Sequence, residues 1–345
     1  MEYVDLRSDT VTKPTPEMRE AMANAEVGDD VFGDDPTVNR LQDMSAEMVG
    51  KQAGLFVASG TMGNLAALLA HCQRGDEVII GQMNHSFLYE AGGMSALGGI
   101  QSYQLKNQPD GSLLPDDVVN AIRPDDPHDP ISRLVCLENT HNRCGGTVQK
   151  PEYTRAISKL AHEHGLQVHL DGARIFNAAS ALGVPVRELT APVDSVTFCL
   201  SKGLSAPVGS VLCGSREFIG KARRARKLLG GGMRQAGVLA AAGIVALQTM
   251  TTRLKDDHVR ARNLAAGLQK NECIMLDEGS PATNMVFFNL APRTKLSASE
   301  ITEKLKKEGI LVNPSGERRF RLVTHCWIDD DAVERSIAAF GKVVH

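Results

Sequence analysis

The sequence predicts an α/β fold, with a large domain built on a mostly parallel seven-stranded sheet flanked by helices and a smaller C-terminal α+β domain. Short apolar runs alternate with helical patterns up to about residue 215, which is typical of strand-helix-strand units. A chain of 345 residues with 42% hydrophobic content is long enough for more than one domain. We therefore expect an N-terminal arm and large domain at 1–250 and a small domain at 251–345.

The predicted elements follow one another in a regular order. Candidate strands of the large sheet lie at 55–58, 76–81, 100–105, 133–138, 166–171, 195–200 and 209–213. Residues 153–164 place Tyr153, Ile157 and Leu160 on one face and end before Gly165, which is the pattern of a crossover helix. An alanine-rich helix at 238–250 and a helical stretch at 251–269 lead into the small domain, with further elements predicted at 284–290, 297–308, 310–314, 320–324 and 329–344.

Composition and charge argue against several classes of function. A formal net charge of −3 and 4% aromatic residues give no basic, base-stacking surface for nucleic acid. Residues 1–5 are acidic, and no apolar run approaches the roughly 18 residues of a membrane span, so we expect a cytoplasmic protein with no membrane partner. The seven cysteines include no C-x-x-C pair, and His162 and His164 point to different faces of a helix, so neither disulfides nor a metal site is predicted.

Two polar residues follow or end neighbouring predicted strands. Lys202 comes directly after the apolar run 195–200; most lysines there reach solvent, but a desolvated one becomes an amine nucleophile able to form a Schiff base. Asp171 ends the preceding strand and is followed by Gly172. Such an aspartate either caps a helix or, beside a lysine, holds the pyridine nitrogen of pyridoxal phosphate. The pairing of the two motifs favours the cofactor interpretation.

A small-residue loop at 58–64 opens an apolar helix at 65–71. Backbone amides at such a helix start bind phosphate. The loop is neither a G-x-G-x-x-G fingerprint nor a Walker loop, so nicotinamide cofactors and nucleoside triphosphates are disfavoured. An ordinary turn capped by Ser59 or Thr61 is the alternative.

Nine segments occur together in an order that matches one known family: DLRSDTVT at 5–12, VGDDVFGDDP at 27–36, Gly60-Thr61, His85, LENTH at 137–141, HLDGAR at 169–174, LSKG at 200–203, GGGMRQ at 230–235 and RLVTH at 321–325. On these segments, over nearly the whole chain, it resembles the L-threonine aldolases, pyridoxal-phosphate enzymes of the aspartate-aminotransferase-like fold (fold type I) in the β-eliminating lyase group. The resemblance implies reversible cleavage of L-threonine and L-allo-threonine to glycine and acetaldehyde, with pyridoxal 5′-phosphate as cofactor.

The resemblance also implies a role for each matching residue. Lys202 would form the Schiff base, Asp171 would pair with the pyridine nitrogen, and His85 would stack on the ring. The other assigned residues are Gly60, Thr61, Met62 and Arg234 near the phosphate, Arg174 at the cofactor phenolate and substrate carboxylate, and Ser8 with Arg321 at that carboxylate. An arginine fork matches a carboxylate bidentately.

The acceptor of the β-hydroxyl proton stays open at this point. His85, His141 or a water ordered by them and Glu90 are the candidates, and His141 is also a candidate substrate ligand. A lone buried histidine such as His141 is more often a structural donor than a base. His325, after the last apolar strand, is interpreted as structural.

Two segments are implied to complete the cleft of a neighbouring subunit in a homotetramer of paired dimers. They are the loop 28–36 and the glycine run 230–235; without the resemblance the latter would be a flexible loop. Phe32 departs from the family pattern, because many relatives carry tyrosine there.

Other functions on the same residues stay open. Another β-eliminating lyase or an aminotransferase would use the same lysine, and a catalytically silent cofactor-binding protein would also keep the fold. A Rossmann-type oxidoreductase is disfavoured, since the glycine fingerprint is missing.

Overall fold

The computed structural model describes residues 3–345 and contains two sheets of four or more strands. The strands are β1 (Val4–Asp5), β2 (Ala53–Val57), β3 (Glu77–Gly81), β4 (Gln101–Leu105), β5 (Ser132–Glu138), β6 (Gln167–Asp171), β7 (Ser195–Cys199), β8 (Ser210–Gly214), β9 (Ile274–Leu276), β10 (Met285–Leu290), β11 (Ile310–Leu311), β12 (Asn313–Pro314) and β13 (Arg319–Val323).

Helices cover both faces of the larger sheet and one face of the smaller. They are α1 (Pro16–Ala23), α2 (Pro36–Met48), α3 (Gly60–His71), α4 (His85–Leu88), α5 (Gly93–Ala96), α6 (Pro115–Ala121), α7 (Pro151–Glu163), α8 (Ile175–Leu182), α9 (Val186–Thr190), α10 (Arg216–Leu228), α11 (Gly237–Val245), α12 (Leu254–Leu268), α13 (Ala298–Lys307) and α14 (Asp330–Val343).

The large sheet has the strand order β2-β8-β7-β6-β5-β3-β4. Only β8 runs against the others in this sheet, since it pairs antiparallel with both β2 and β7. The central strands are buried along most of their length, as expected for strands covered by helices on both faces. The predicted mostly parallel seven-stranded sheet is confirmed, and each predicted strand agrees with the structure to within two residues.

The C-terminal sheet is antiparallel, in the order β12-β13-β10-β9. Its core is a separate cluster that includes the packed rings of Phe288, Phe320 and Phe340. The sequence had not indicated β9, which has only three residues. An α/β domain with a small antiparallel region after it is therefore the observed fold.

The N-terminal arm reaches this second core. β1 pairs parallel with β11, and Val4 and Leu6 belong to the C-terminal cluster although they begin the chain. The cluster of the large sheet includes residues up to Leu254. A domain division at residue 250 stays a prediction.

One continuous helix, Gly237–Leu268, joins the two sheets. It consists of α11, a π-helical turn at Ala246–Met250, a 3₁₀ turn at Thr251–Arg253, and α12. By length and composition this helix of 32 residues is apolar enough to cross a membrane, a possibility that the sequence analysis did not anticipate. Since 56% of its most apolar stretch is buried inside the protein, it packs here as a core helix.

The topology brings the sequence motifs to one edge. β3, β5, β6 and β7 are parallel neighbours, so their carboxyl ends lie side by side. In such sheets, ligands bind beyond the carboxyl ends of the strands. Glu138 and Asp171 end β5 and β6, and the segments that follow β3 and β7 carry His85 and Lys202.

Candidate active site

A cavity of about 190 Å³ lies at this edge. Its lining contains six of the predicted site residues, among eleven in all: Ser59, Gly60, Thr61, Asn64, His85, Glu90, Asp171, Ala173, Cys199, Ser201 and Lys202. We call it the lysine cavity. The structure thus brings together residues that lie up to 143 positions apart in the chain.

Lys202 lies in a turn just after β7, and its backbone is held from two sides. Its carbonyl accepts a hydrogen bond from the amide of Ser205 at 2.8 Å and another from the hydroxyl of Thr12 at 3.0 Å. The Ser205 hydroxyl donates to the carbonyl of Lys13 at 2.8 Å. The N-terminal arm therefore fixes the turn that presents the lysine.

Asp171 is buried at the end of β6, and both its carboxylate oxygens are bonded. The amide of Ala173 donates to Oδ1 at 3.1 Å, and Nδ2 of Asn64 donates to Oδ2 at 2.9 Å. Asn64 also donates to Oε1 of Glu90 at 2.9 Å. One side-chain amide therefore holds two carboxylates, one with each proton.

A chain of hydrogen bonds continues behind Asn64. Its oxygen lies 3.2 Å from Nε2 of His169, Nδ1 of His169 lies 2.8 Å from the Ser195 hydroxyl, and that hydroxyl lies 2.7 Å from Nε2 of His71. Burial lowers the pKa of His169 to about 4 and the pKa of His71 to about 3, so both rings are neutral near pH 7. We call this the His71–Asp171 chain.

The direction of each bond in the His71–Asp171 chain follows from the amide. The Asn64 side-chain nitrogen donates one proton to each of two carboxylates. The bond to His169 therefore uses the Asn64 side-chain oxygen as acceptor, and His169 must donate from Nε2. Nδ1 of His169 then accepts from the Ser195 hydroxyl, whose oxygen accepts from His71. All donors of the chain therefore point toward Asp171.

His85 begins α4 at the mouth of the lysine cavity. Its Nδ1 lies 3.1 Å from Oε1 of Glu90, and its backbone amide donates to Oε2 of Glu138 at 2.6 Å. The hydrogen bond with Glu90 raises the pKa of His85 against the opposing effect of burial. Burial raises the pKa of Glu90 in turn. The bond at Nδ1 leaves Nε2 as the ring atom available to a ligand.

The ligand atoms of His85, Glu90 and Asp171 lie within 4.8 Å of one another, a spacing that a metal ion also accepts. The hydrogen bonds from Asn64 and His85 already occupy the carboxylate oxygens that face each other. The close approach of these three side chains is therefore explained by the hydrogen bonds among them and Asn64.

The amino end of α3 forms another wall. Ser59 is the N-cap, and its hydroxyl accepts from the amide of Met62 at 3.2 Å, while Gly60 and Thr61 line the cavity. A side chain at Gly60 would place its Cβ 2.9 Å from Sγ of Cys199, so only glycine allows this approach. First-turn amides and the helix dipole make this wall suitable for an anion.

A second cavity, of about 530 Å³, adjoins the first, and His85 lines both. We call it the arginine cavity, from its lining residues Arg7, His85, Tyr89, Asn142, Arg143, Phe287, Asn313, Pro314, Ser315, Arg319 and Arg321. Arg321, on β13, donates to Oδ1 of Asn142 at 2.7 Å and to the carbonyl of Arg7 at 3.3 Å.

Arg174 lies between the arm and the sheet. Its Nε and Nη2 donate to the two oxygens of Asp9 at 2.7 and 2.5 Å, and both residues are buried. Burial alone would raise the pKa of Asp9, but the Arg174 charge lowers it well below its usual range. Ser8, just before, accepts from the amide of Thr10 at 3.2 Å. The fork of Arg174 is thus used internally, and Arg174 lines neither cavity.

Five predicted site residues lie outside both cavity linings: Ser8, Met62, His141, Arg174 and Arg234. His141 has no exposed surface; its Nδ1 accepts from the amide of Cys144 at 3.3 Å, and its Nε2 lies 3.3 Å from the side chains of Asn84 and Asn107. Arg234 is exposed and pairs with Asp29 at 2.9 Å. The side chain of Met62 packs against Gly231, since a Cβ at that glycine would clash with the Met62 sulfur. Their assigned roles stay predictions.

Sequence reasoning missed four residues on which this geometry depends. Asn64 donates to the carboxylates of Glu90 and Asp171, and Glu138 accepts from the backbone amide of His85. Asp9 pairs with Arg174, and Asn142 accepts from Arg321. Asn64, Glu138 and Asp9 lie within motifs that the sequence analysis had singled out, and Asn142 directly follows one of them. Their signal was a polar side chain at a strand end or helix start, but their partners are distant in sequence.

Comparison with known proteins adds an independent line of support. The sequence model described as beta-eliminating lyase matches residues 5–291. This chain belongs to that family, within its threonine aldolases. It is 50% identical to the probable low-specificity L-threonine aldolase 2 of Arabidopsis thaliana over 99% of this chain and 97% of that one. It is 48% identical to the low specificity L-threonine aldolase of Escherichia coli K12 over 93% of each.

Solved structures agree at the level of the fold. The threonine aldolase of Leishmania major superposes with a TM-score of 0.82 at 23% identity, over 98% of each chain. The family indicated by the nine sequence segments is confirmed.

Proposed function

We propose that this protein cleaves L-threonine and L-allo-threonine to glycine and acetaldehyde, and catalyses the reverse addition, with pyridoxal 5′-phosphate bound through Lys202. The observation that carries the proposal is the meeting of Lys202, Asp171 and the start of α3 in one cavity that shares His85 with an arginine-lined cavity. The first cavity suits the cofactor and the second suits an amino acid. The curated relatives named above are low-specificity L-threonine aldolases.

The lysine cavity fits the cofactor by the chemistry of its donors. It offers the amine of Lys202 for the aldehyde and the first-turn amides of Gly60 and Thr61 for the phosphate. It also offers the carboxylate of Asp171, each oxygen of which already accepts one hydrogen bond, for the ring nitrogen. Bound to Lys202, pyridoxal phosphate supplies an electron sink for the electrons of the bond that breaks.

The protein's own residues decide which bond breaks. Arg321, held by Asn142 and the Arg7 carbonyl, lines the arginine cavity and is positioned to take the substrate carboxylate. Arg174 is proposed as a second ligand of that carboxylate, although it lines neither cavity. A fixed carboxylate limits the rotation of the substrate about Cα and so selects which of the bonds at Cα is placed to break. The arginines therefore act as orienting groups.

We infer that His85 accepts the β-hydroxyl proton at Nε2. It lines both cavities, its Nδ1 is engaged by Glu90, and the same bond raises its pKa and so its basicity. His141 lacks any exposed edge from which to reach a substrate, and its three partners describe a structural donor.

The protein is also proposed to work as a homotetramer of paired dimers. Phe32 and Leu228 are large apolar side chains that are 77% and 81% exposed in the single chain. They lie in or near the segments 28–36 and 230–235, where Arg234 is exposed as well. Exposed apolar side chains of this size are typical of an interface between subunits. In the assembled protein, Arg234 of one subunit would then approach the cofactor phosphate of its neighbour, as the resemblance implies.

A cytoplasmic location is proposed on chemical grounds. All seven cysteines are free, five of them buried, so the fold requires no oxidising compartment.

The decisive experiment measures acetaldehyde released from L-threonine, L-allo-threonine and the two D isomers by the purified protein with pyridoxal phosphate. Release from both L isomers alone supports the proposal. If no isomer releases acetaldehyde but the visible absorbance of lysine-bound cofactor is present, the protein would instead be another lyase, an aminotransferase or a catalytically silent cofactor-binding protein. Added 2-oxo acid then identifies an aminotransferase, because only that enzyme consumes it.

A further inference from the structure

The arginine cavity carries more positive charge than a threonine molecule can neutralise. Four of its eleven lining residues are arginines, and no aspartate or glutamate lines it among the residues described. Threonine brings a single carboxylate to such a site. The charges of the individual arginines therefore need to be accounted for.

Two of the four arginines are already neutralised within the fold. Arg7 pairs with Asp5 at 2.5 Å, and Arg319 pairs with Asp277 at 2.6 Å while its guanidinium lies 4.9 Å from the centre of the Phe287 ring. Their carboxylate partners stand behind them, outside the cavity lining. These two side chains form walls of the cavity rather than open charges.

The other two arginines face the cavity without a carboxylate bonded to them. Arg321 donates only to the neutral oxygens of Asn142 and Arg7. Arg143 is half-buried, and within residues 3–345 it makes neither an ion pair nor a hydrogen bond. Arg143 directly follows Asn142, the residue that Arg321 bonds, and both arginines line the same cavity. Two uncompensated cations in one cavity indicate a ligand with two anionic groups.

We propose that the cavity accepts β-hydroxy-α-amino acids with a second carboxylate on Cβ, of which 3-hydroxyaspartate is the simplest. Arg321 holds the α-carboxylate and Arg143 holds the second. This substrate class rests on the proposed aldol function of the same site. Arg143 is then a residue that determines specificity, and the cavity of about 530 Å³ has room for the longer acid.

The reaction on this substrate is the same cleavage and needs no further reactant. The bond from Cα to Cβ breaks and leaves its electron pair on Cα, which takes up one proton. The β-hydroxyl loses one proton and becomes the aldehyde carbonyl. The products are glycine and glyoxylate, whose atoms together equal those of 3-hydroxyaspartate.

The first test compares glycine formation from L-threo- and L-erythro-3-hydroxyaspartate with that from L-threonine, with the holoenzyme. In the Arg143→Gln variant, the ratio of kcat/KM for 3-hydroxyaspartate over threonine should fall by about tenfold or more, since one charge-assisted contact is lost. Arg155→Gln is the matched control, because Arg155 is exposed on α7 and lies outside the cavity. Its ratio should stay within about twofold of the original.

The second test measures binding without turnover. L-Aspartate and L-2-aminobutyrate share a four-carbon skeleton and lack the β-hydroxyl, and only aspartate has the second carboxylate. Calorimetry should show tighter binding of aspartate to the original holoenzyme, and Arg143→Gln should remove about tenfold of that preference. Arg143→Lys, which keeps the charge but not the fork, should keep part of it.

The outcomes separate the two proposals. If threonine is cleaved but 3-hydroxyaspartate is not, or if the ratio is unchanged in Arg143→Gln, the dicarboxylate inference is wrong and the aldolase function stands. If aspartate binds no better than 2-aminobutyrate, the inference fails in the same way. If no β-hydroxy amino acid is cleaved, both proposals fall.

Discussion

The two adjoining cavities differ in how their polar groups are satisfied. In the lysine cavity each carboxylate is bonded, with Asn64 holding Asp171 and Glu90 at once and His85 held by Glu90. In the arginine cavity, Arg143 and Arg321 have no carboxylate bonded to them. A closed network suits a cofactor that stays, because it fixes geometry in advance. An open set of charges suits a substrate that arrives and leaves.

The largest effect is expected when the nucleophile of the lysine cavity is removed. Lys202→Ala should abolish the visible absorbance of bound cofactor and lower kcat/KM for threonine by about 10⁴-fold or more. Lys159→Ala, on the exposed face of α7, should change neither quantity. Full turnover by Lys202→Ala would refute the assignment of the site.

The buried pair between the arm and the sheet should give the next largest effect. Asp9→Asn leaves the Arg174 charge buried without its partner, which costs about 3–5 kcal/mol of unfolding free energy. The lowered pKa of Asp9 stabilises the native state at pH values above the unfolded value of about 3.9, and this contribution is lost as pH falls below it. Urea titrations at pH 7 and pH 3 should therefore differ less for the variant than for the original protein.

Arg321→Ala should produce the opposite pattern to the lysine variant. It should raise KM for threonine by about 10²-fold, because charge-assisted contacts to the substrate carboxylate are lost, and leave the cofactor absorbance in place. Arg155→Ala serves as control. Loss of the absorbance in Arg321→Ala would show that the two cavities are not separate in function.

A smaller effect tests the link between the cavities. Glu90→Gln removes the anionic partner of Nδ1, so the pKa of His85 should fall toward that of an ordinary histidine. Since the acceptor of the proton must be neutral, the acid limb of kcat/KM against pH should move to lower pH. An unmoved limb would mean that His85 is not the group that titrates.

The smallest expected change is at the subunit patch. Phe32→Tyr adds one hydroxyl to an exposed ring and should alter the steady-state constants by less than about threefold. The ratio of L-threonine to L-allo-threonine turnover is the informative measurement. Identical kinetics in both forms would remove any role for that hydroxyl.

The fold was largely predictable from the sequence. Apolar runs such as 195–200 and the helix pattern at 153–164 correspond to β7 and α7 with small shifts at their ends. Local periodicity is enough for this, because strands buried on both faces must be apolar. The long helix Gly237–Leu268 was seen only as two pieces, since its π-helical joint has no sequence signature.

The site was predictable as a set of motifs but not as a set of bonds. Asp171 ends β6 and Lys202 follows the adjacent parallel strand β7, so their meeting follows from the parallel sheet. The bonds of Asn64 to Asp171, and of Asp9 to Arg174, join residues 107 and 165 positions apart. Nothing local specifies such partners. His141 shows the same limit, because its motif is compatible with a substrate ligand or a structural donor, and only the structure shows that Asn84 and Asn107 contact its ring.

The N-terminal arm has a consequence for the order of events during synthesis. Thr12 bonds the carbonyl of Lys202, 190 positions away, while Leu6 and Val4 pack against strands made after residue 285. The arm thus precedes the large sheet in the chain but finds its last partners only when β10, β11 and β13 exist. Loops this long close slowly, and the large sheet has time to form before they do. The turn carrying the lysine should therefore become ordered late, after β13 has been synthesised.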